Sequence, residues 1–309
     1  MNPPVKDPAH VFIVGCGDVG RRVGRLWREA GIPVTGLARS EATLVAMARQ
    51  GITPLPADLD APQTLRDLPV KDALLYHFAP PPPRGQTDPR LANLLAALTA
   101  DNRPRRIVLL STSGVYGDRK GARVDETTPP APGTDRGRRR LDAEQRLQRF
   151  GKTQGVETII LRVGGIYGPG RLPAARLRQR VPMVPPEQAP VTNRIHVDDL
   201  ARICVAAARR GRDREIYNVC DGTAGNMTDY FDAVADFLGL PRPPRIDRAE
   251  AERTLSPGMV SYLRESRHLD NRKMRDELGV ELLYPDLASG LAACRETPAR
   301  VSPPDAPDR

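Results

Sequence analysis

Aromatic side chains make up only 4% of this 309-residue chain. A core so poor in Phe, Tyr and Trp must rest on Val, Ile, Leu and Ala, which suits layered α/β packing better than an aromatic-rich barrel. Cysteine is also scarce. Cys16, Cys204, Cys220 and Cys294 stand far apart, with no CxxC pair and no metal-ligand spacing. That pattern argues against a disulfide framework or a metal site and fits reduced thiols in a cytoplasmic protein. No run approaches the roughly 20 apolar residues needed to cross a bilayer, so no membrane contact is expected. The opening Met1-Asn2-Pro3-Pro4-Val5-Lys6-Asp7-Pro8 has no apolar h-region and no cleavage site, so it does not read as a secretory signal. Lysine is the last scarcity: five of the 47 basic residues are lysine and 42 are arginine, with a net charge of +9. Such a balance suits an acidic partner or nucleic acid. However, the arginines are spread along the whole chain, with few aromatics among them to stack on bases, and nucleic-acid binding is not expected.

What the chain does have is alternation. Short apolar runs at 11–14, 33–37, 73–78, 106–110 and 158–161, with a weaker one at 52–57, read as strands. Helical patterns at about 19–30, 40–49, 91–98 and 138–150 lie between them. Strands alternating with helices predict a parallel sheet covered on both faces. After Gly170 the rhythm loosens. A helix at about 198–210, a strand at 216–219 and helices near 228–238 and 270–278 predict a smaller C-terminal region, residues 171–296. One of its segments, about 191–220, is expected to return to the main domain of residues 10–170. Residues 1–9 and 297–309, rich in Pro, Asp and Arg, read as loose tails.

The sharpest local signal is Gly15-Cys16-Gly17-Asp18-Val19-Gly20, a GxGxxG directly after a predicted strand and opening a predicted helix. The first glycine permits a tight turn. The second lets backbone approach a pyrophosphate that meets the helix N-terminus, and the third lets helix pack on strand. This predicts a Rossmann-type doubly wound fold that binds a nicotinamide dinucleotide through Gly15, Gly17, Asp18, Val19 and Gly20. An NAD-selective site would place Asp or Glu at the end of the second strand. Here Arg39 and Ser40 stand there, suited to pairing with a 2′-phosphate. NADP is therefore expected, with NAD as the alternative. Asp58 and Leu59 after the third strand and Ala79 after the fourth complete the expected cofactor set.

Further motifs follow in order. Leu110-Ser111-Thr112-Ser113-Gly114-Val115-Tyr116-Gly117-Asp118, Arg162-Val163-Gly164-Gly165-Ile166-Tyr167-Gly168-Pro169-Gly170, Arg194-Ile195-His196-Val197-Asp198-Asp199-Leu200-Ala201, Ile216-Tyr217-Asn218-Val219 and Lys273-Met274-Arg275-Asp276-Glu277-Leu278-Gly279 together resemble the extended short-chain dehydrogenases of the epimerase/dehydratase group. The resemblance spans about residues 10–290. It implies that a Ser or Thr, a Tyr acting as acid/base and a Lys carry the chemistry, and it places the hydroxyl at Thr112. The Tyr and Lys positions instead hold Arg136 and Arg140. Arginine cannot donate a proton near neutral pH.

A literal Tyr116-x-x-x-Lys120 lies in the wrong motif and reads as a decoy, with Tyr116 kept only as a substitute acid. His196 reads as packing where strand meets helix. The run Arg136 to Arg140 puts positive charge at a helix start, where it is unfavourable, which hints at an anionic substrate. Two functions remain open: an NADP-dependent oxidoreductase or epimerase acting on an unidentified small molecule, or a non-catalytic NADP-binding redox sensor or scaffold. The resemblance also leaves a homodimer open.

Overall fold

The structure is a computed structural model that describes residues 1–223 and 225–296. Seven strands form one sheet: β1 Val11–Val14, β2 Val34–Ala38, β3 Thr53–Pro56, β4 Leu74–His77, β5 Arg106–Thr112, β6 Glu157–Val163 and β7 Ile216–Val219. Their order is β3-β2-β1-β4-β5-β6-β7, and every pairing is parallel. β1 and β4 are buried at every residue, as expected of central strands covered on both faces. In β1 the period-two alternation sends Val11 and Ile13 to one core and Phe12 and Val14 to the other. β3 carries Pro54 and Pro56 and is largely exposed. It holds the sheet edge, where a missing N–H costs least.

Helices α1 Asp18–Glu29 and α5 Val197–Arg210 pack against each other on one face, while α3 Pro89–Ala97 and α4 Asp135–Gln154 cover the other. The short α2 Glu41–Ala48 joins β2 to β3. On the α1 side a chain of donors is fully buried: the Trp27 indole donates to the Tyr76 hydroxyl at 3.0 Å, and that hydroxyl donates to the Cys204 carbonyl at 3.1 Å. Beyond β6 the helices α6 Met227–Leu238 and Pro257–Leu263 share a separate small core that includes Phe231, Val234 and Met259, and the helix Arg248–Thr254 buries Ala251 in another, with Val184 and Leu263. The chain leaves this region twice, once for α5 and β7 and once for α7 Arg272–Leu278, which packs on both of them. Among the described residues no helix is long and apolar enough to cross a membrane.

The N-terminal stretch departs from its reading as a loose tail. The Asn2 amide donates to the Glu277 carbonyl at 2.9 Å and its side chain to the Arg210 carbonyl at 3.0 Å. Val5 N–H donates to the Arg209 carbonyl at 2.7 Å. Asp7 pairs with Arg209 through two bonds of 2.7 and 2.8 Å. The last carbonyls of a helix have no intrahelical donor, and this segment supplies donors to the end of α5. The other expected tail, 297–309, lies outside the described residues.

At the far end of the sheet a buried ionic cluster joins α4 to three strands. Arg162 on β6 forms a paired bond to Glu144 on α4, and Ser111 on β5 donates to the same carboxylate. The Arg162 guanidinium lies 4.7 Å from the Tyr116 ring centroid. The Tyr116 hydroxyl donates to Asn218 on β7 at 2.8 Å. Both members of the ion pair are at most 3% exposed. Glu144→Ala should therefore cost about 3–5 kcal/mol in urea unfolding, because it strands a buried guanidinium. Glu144→Leu combined with Arg162→Met should recover much of that loss.

Candidate cofactor cleft and substrate pocket

Chain direction across the sheet reverses between β1 and β4, which opens a crevice at their carboxyl ends. Gly15 turns the chain there with φ +79°, and a Cβ on it would sit 2.4 Å from the Ala79 nitrogen. Gly15 and Cys16 donate their amides to the Leu37 carbonyl, and Gly17 donates to Gly15. The helix start that follows has no side-chain cap, so its positive end faces the crevice. Among the described residues a Cβ on Gly17 would meet nothing within 4 Å, whereas one on Gly20 would press on Ile13 and the Gly15 carbonyl. The three glycines thus make the turn, leave room for a ligand and allow helix to pack on strand.

Gly15, Gly17, Asp18, Val19, Arg39, Ser40, Asp58, Leu59 and Ala79 all line the resulting cleft, a cavity of about 490 Å³. Gly20 lies behind it, buried. The uncapped amides and the open space at Gly17 fit a diphosphate. Arg171 also lines the cleft and pairs with Asp18 at 3.1 Å, offsetting a carboxylate that would repel an anion. At the opposite end the Arg39 guanidinium is exposed, 3.9 Å from Asp58 and 3.8 Å from Asp60. A bond to Arg90 holds the Asp60 carboxyl below the usual range. Ser40 caps α2 through Thr43 N–H, and the two hydroxyls lie 2.7 Å apart.

A second cavity, about 180 Å³, opens beside the first, and Ile166 belongs to the walls of both. It is lined by Ser113 from the end of β5, by Tyr167 and Arg194, and by Met227, Tyr230, Phe231, Tyr262, Glu265 and Arg267 from the C-terminal region. Thr112 is half-buried and lines neither cavity. Its hydroxyl accepts from Gly114 N–H at 3.2 Å and caps a short turn, Ser113–Tyr116. The neighbouring Ser113 reaches the pocket instead.

The substitute-acid reading of Tyr116 needs correction. Tyr116 is fully buried among Val115, Val124, Cys220 and Leu269, its hydroxyl is committed to Asn218, and burial pushes its phenol up. It lines neither cavity, and Lys120 sits in an exposed turn at φ +50°. His196 caps α5 by accepting from Asp198 N–H and packs on Tyr167 and Tyr284, as its sequence position suggested.

The two arginines at the family's Tyr and Lys positions part company. Arg136, in the first turn of α4, lies with its guanidinium carbon 4.2 Å from the Tyr262 ring centroid. Arg140, one turn on, points to the cofactor side, 3.5 Å from the Ala79 carbonyl. Desolvation pushes its pKa down to about 10, with Asp88 and Glu144 opposing the fall. Near it, among the described residues, the His77 ring has no partner for either nitrogen, and desolvation followed by the Arg140 charge pushes it down to about 3. At neutral pH, then, Arg140 is charged and His77 is not.

Sequence reasoning missed Arg171, Ser113, Tyr262, Glu265 and Arg267. Most lie beyond Gly170, where no periodicity marks them. The cradle itself generates a prediction. Gly17→Ala should fold normally, with an unchanged melting temperature, yet bind dinucleotide at least about tenfold more weakly by calorimetry, because the new methyl occupies the approach to the helix amides.

Comparison with known proteins agrees with this geometry. The family described as NAD dependent epimerase/dehydratase matches residues 11–220. Protein YeeZ of Escherichia coli K12 is 28% identical over 284 residues, covering 89% of this chain and 96% of that protein. A 3-diazoavenalumate denitrifying reductase of Streptomyces is 29% identical over 198 residues, 60% of this chain and 64% of that one. A solved structure of a functionally unknown conserved protein from Silicibacter pomeroyi DSS superposes with a TM-score of 0.78 at 33% identity, covering 93% of this chain and 98% of that one. With the family's glycine turn, its parallel sheet and a match over more than half its length, this chain belongs to the NAD dependent epimerase/dehydratase family.

Proposed function

We propose that the protein is an NADP-dependent oxidoreductase acting on a small carbonyl or hydroxyl compound held in the pocket beside Ile166. The observation that carries this reading is the shared wall: a cleft built for a diphosphate adjoins a separate, aromatic-lined cavity. The amides after Gly17 would hold the diphosphate. Arg39, Ser40 and Thr43, with Arg90 behind them, would take the 2′-phosphate. When bound, the nicotinamide supplies or accepts a hydride.

The proton needs another source, because Arg136 and Arg140 cannot give one near neutral pH. Tyr262 is placed for that work. It lines the pocket and is 42% exposed, and among the described residues no hydrogen bond engages its hydroxyl. The Arg136 guanidinium lies over its ring and would hold that ring in one orientation against the pocket. In this reading the acid comes from the C-terminal region, and Arg136 positions it. The reductase from Streptomyces among the relatives is in keeping with this class of reaction.

The replacement of both family residues by arginine also favours a second reading, an NADP-binding sensor without turnover. Three measurements separate the two. By calorimetry the protein should bind NADP at least about tenfold more tightly than NAD, and Arg39→Asp should reverse that order; equal affinities in the wild type would refute the NADP assignment. A panel of aldehydes, ketones and alcohols should yield a substrate-dependent change in nicotinamide absorbance. Tyr262→Phe should then lower kcat by about 10²–10⁴ with cofactor affinity unchanged. Tight NADP binding without turnover on any compound would favour the sensor.

A further inference from the structure

The wall of the smaller cavity has an unusual composition for this chain. The sequence holds one Trp, seven Tyr and five Phe, and four of these aromatic side chains, Tyr167, Tyr230, Phe231 and Tyr262, line this single space of about 180 Å³. Ile166 and Met227 add apolar surface. Pockets for drug-sized ligands run from roughly 300 Å³ upward, so the ligand is compact, on the scale of one ring.

The same wall carries an unbalanced charge. Arg194 stands on a short strand, Arg194–His196, paired with Gly165–Tyr167. Its guanidinium lies 3.9 Å from the Tyr230 ring centroid and donates to Thr192 Oγ1 at 2.7 Å and, at 3.4 Å, to the Asn226 carbonyl. Among the described residues no carboxylate approaches it within 4.0 Å. Desolvation pulls its pKa down. Asp221, whose charge also acts on Arg194, is turned to the Thr223 amide, and burial pushes its carboxyl up to about 6.

The other cation on the wall is already matched. Arg267 pairs with Glu265 at 3.0 Å and donates to the Gly117 carbonyl. A desolvated guanidinium with unused donors is costly until an anion meets it, and its planar fork suits a carboxylate.

We infer that this pocket recognises a compact aromatic carboxylate, with the acid on the Arg194 guanidinium and the ring among Tyr167, Tyr230 and Phe231. The inference rests on the oxidoreductase reading and names its substrate class: an aromatic acid that also bears the carbonyl or hydroxyl to be converted. Stacking with Tyr230 fixes the plane of the guanidinium, so the acid is held in one orientation while the ring lies against the aromatic wall.

Calorimetry on the full chain saturated with NADP tests it, with cinnamate, its neutral amide cinnamamide, and acetate as probes. Cinnamate should bind, with cinnamamide and acetate each at least about tenfold weaker. Arg194→Gln should weaken cinnamate about 10- to 100-fold while leaving cinnamamide and NADP unchanged. Arg194→Lys, which keeps the charge and loses the fork, should fall between the two. If Arg194→Gln fails to fold, the acid-to-amide ratio in the wild type and in Arg194→Lys decides instead. Equal binding of acid and amide, or undiminished cinnamate binding by either variant, overturns the inference. So does a wild type that binds NADP and no cinnamate, an outcome that leaves the oxidoreductase reading intact. Failure to bind NADP at all defeats the oxidoreductase reading itself.

Discussion

Two stretches of backbone, one leaving β1 and one leaving β4, meet closer than any side chain would allow. The missing Cβ of Gly15 would fall 2.4 Å from the Ala79 nitrogen, and the cleft takes its form from that contact. The reversal of strand order opens a crevice at this point in any doubly wound sheet. The contact closes the floor of that crevice and turns the first helix so that its uncapped amides look into it. Ala79 in turn offers its carbonyl to Arg140, so the position that normally holds a catalytic lysine is built onto the same floor. Gly15, Ala79 and Arg140 are therefore parts of one backbone junction.

The arginine replacements change what this junction can do. A lysine at the sixth position of α4 would be a small, tunable charge, whereas Arg140 is a broad fixed one, and it helps keep the buried His77 ring neutral. Arg136 reaches away from the sheet to the ring of Tyr262, tying the start of α4 to the helix Pro257–Leu263. Two residues that would act on one substrate from one helix face thus serve two separate regions. The change enlarges the part played by the C-terminal region, which here supplies most of the small pocket's wall.

The sheet was legible because its strands are short apolar runs bounded by glycine and proline, and a strand buried on both faces leaves that mark in sequence. The run 52–57 read weakly for a physical reason: Pro54 and Pro56 are tolerated only because β3 is an edge. The glycine turn was legible in detail, since each glycine answers a different steric need. Thr112 was harder. The motif locates a hydroxyl near the end of β5, but the turn that begins at Ser113 breaks the two-residue alternation, and it is Ser113 that lines the pocket. Tyr262, Glu265 and Arg267 left no trace, because the first lies on a helix of seven residues and the others in the loop that joins it to a strand of two, too short for any periodic signal. The docking of residues 2–7 was invisible for a similar reason: its partners lie some two hundred residues away.

That last distance bears on how the molecule is made. Residues 2–7 find their hydrogen-bonding partners at Arg209, Arg210 and Glu277, which are synthesised much later. Domains assemble from the N-terminus as synthesis proceeds, yet here residues 2–7 wait until α5 and then α7 have emerged. A segment translated ahead of β1 is thus fastened only after the helices that receive it have been made.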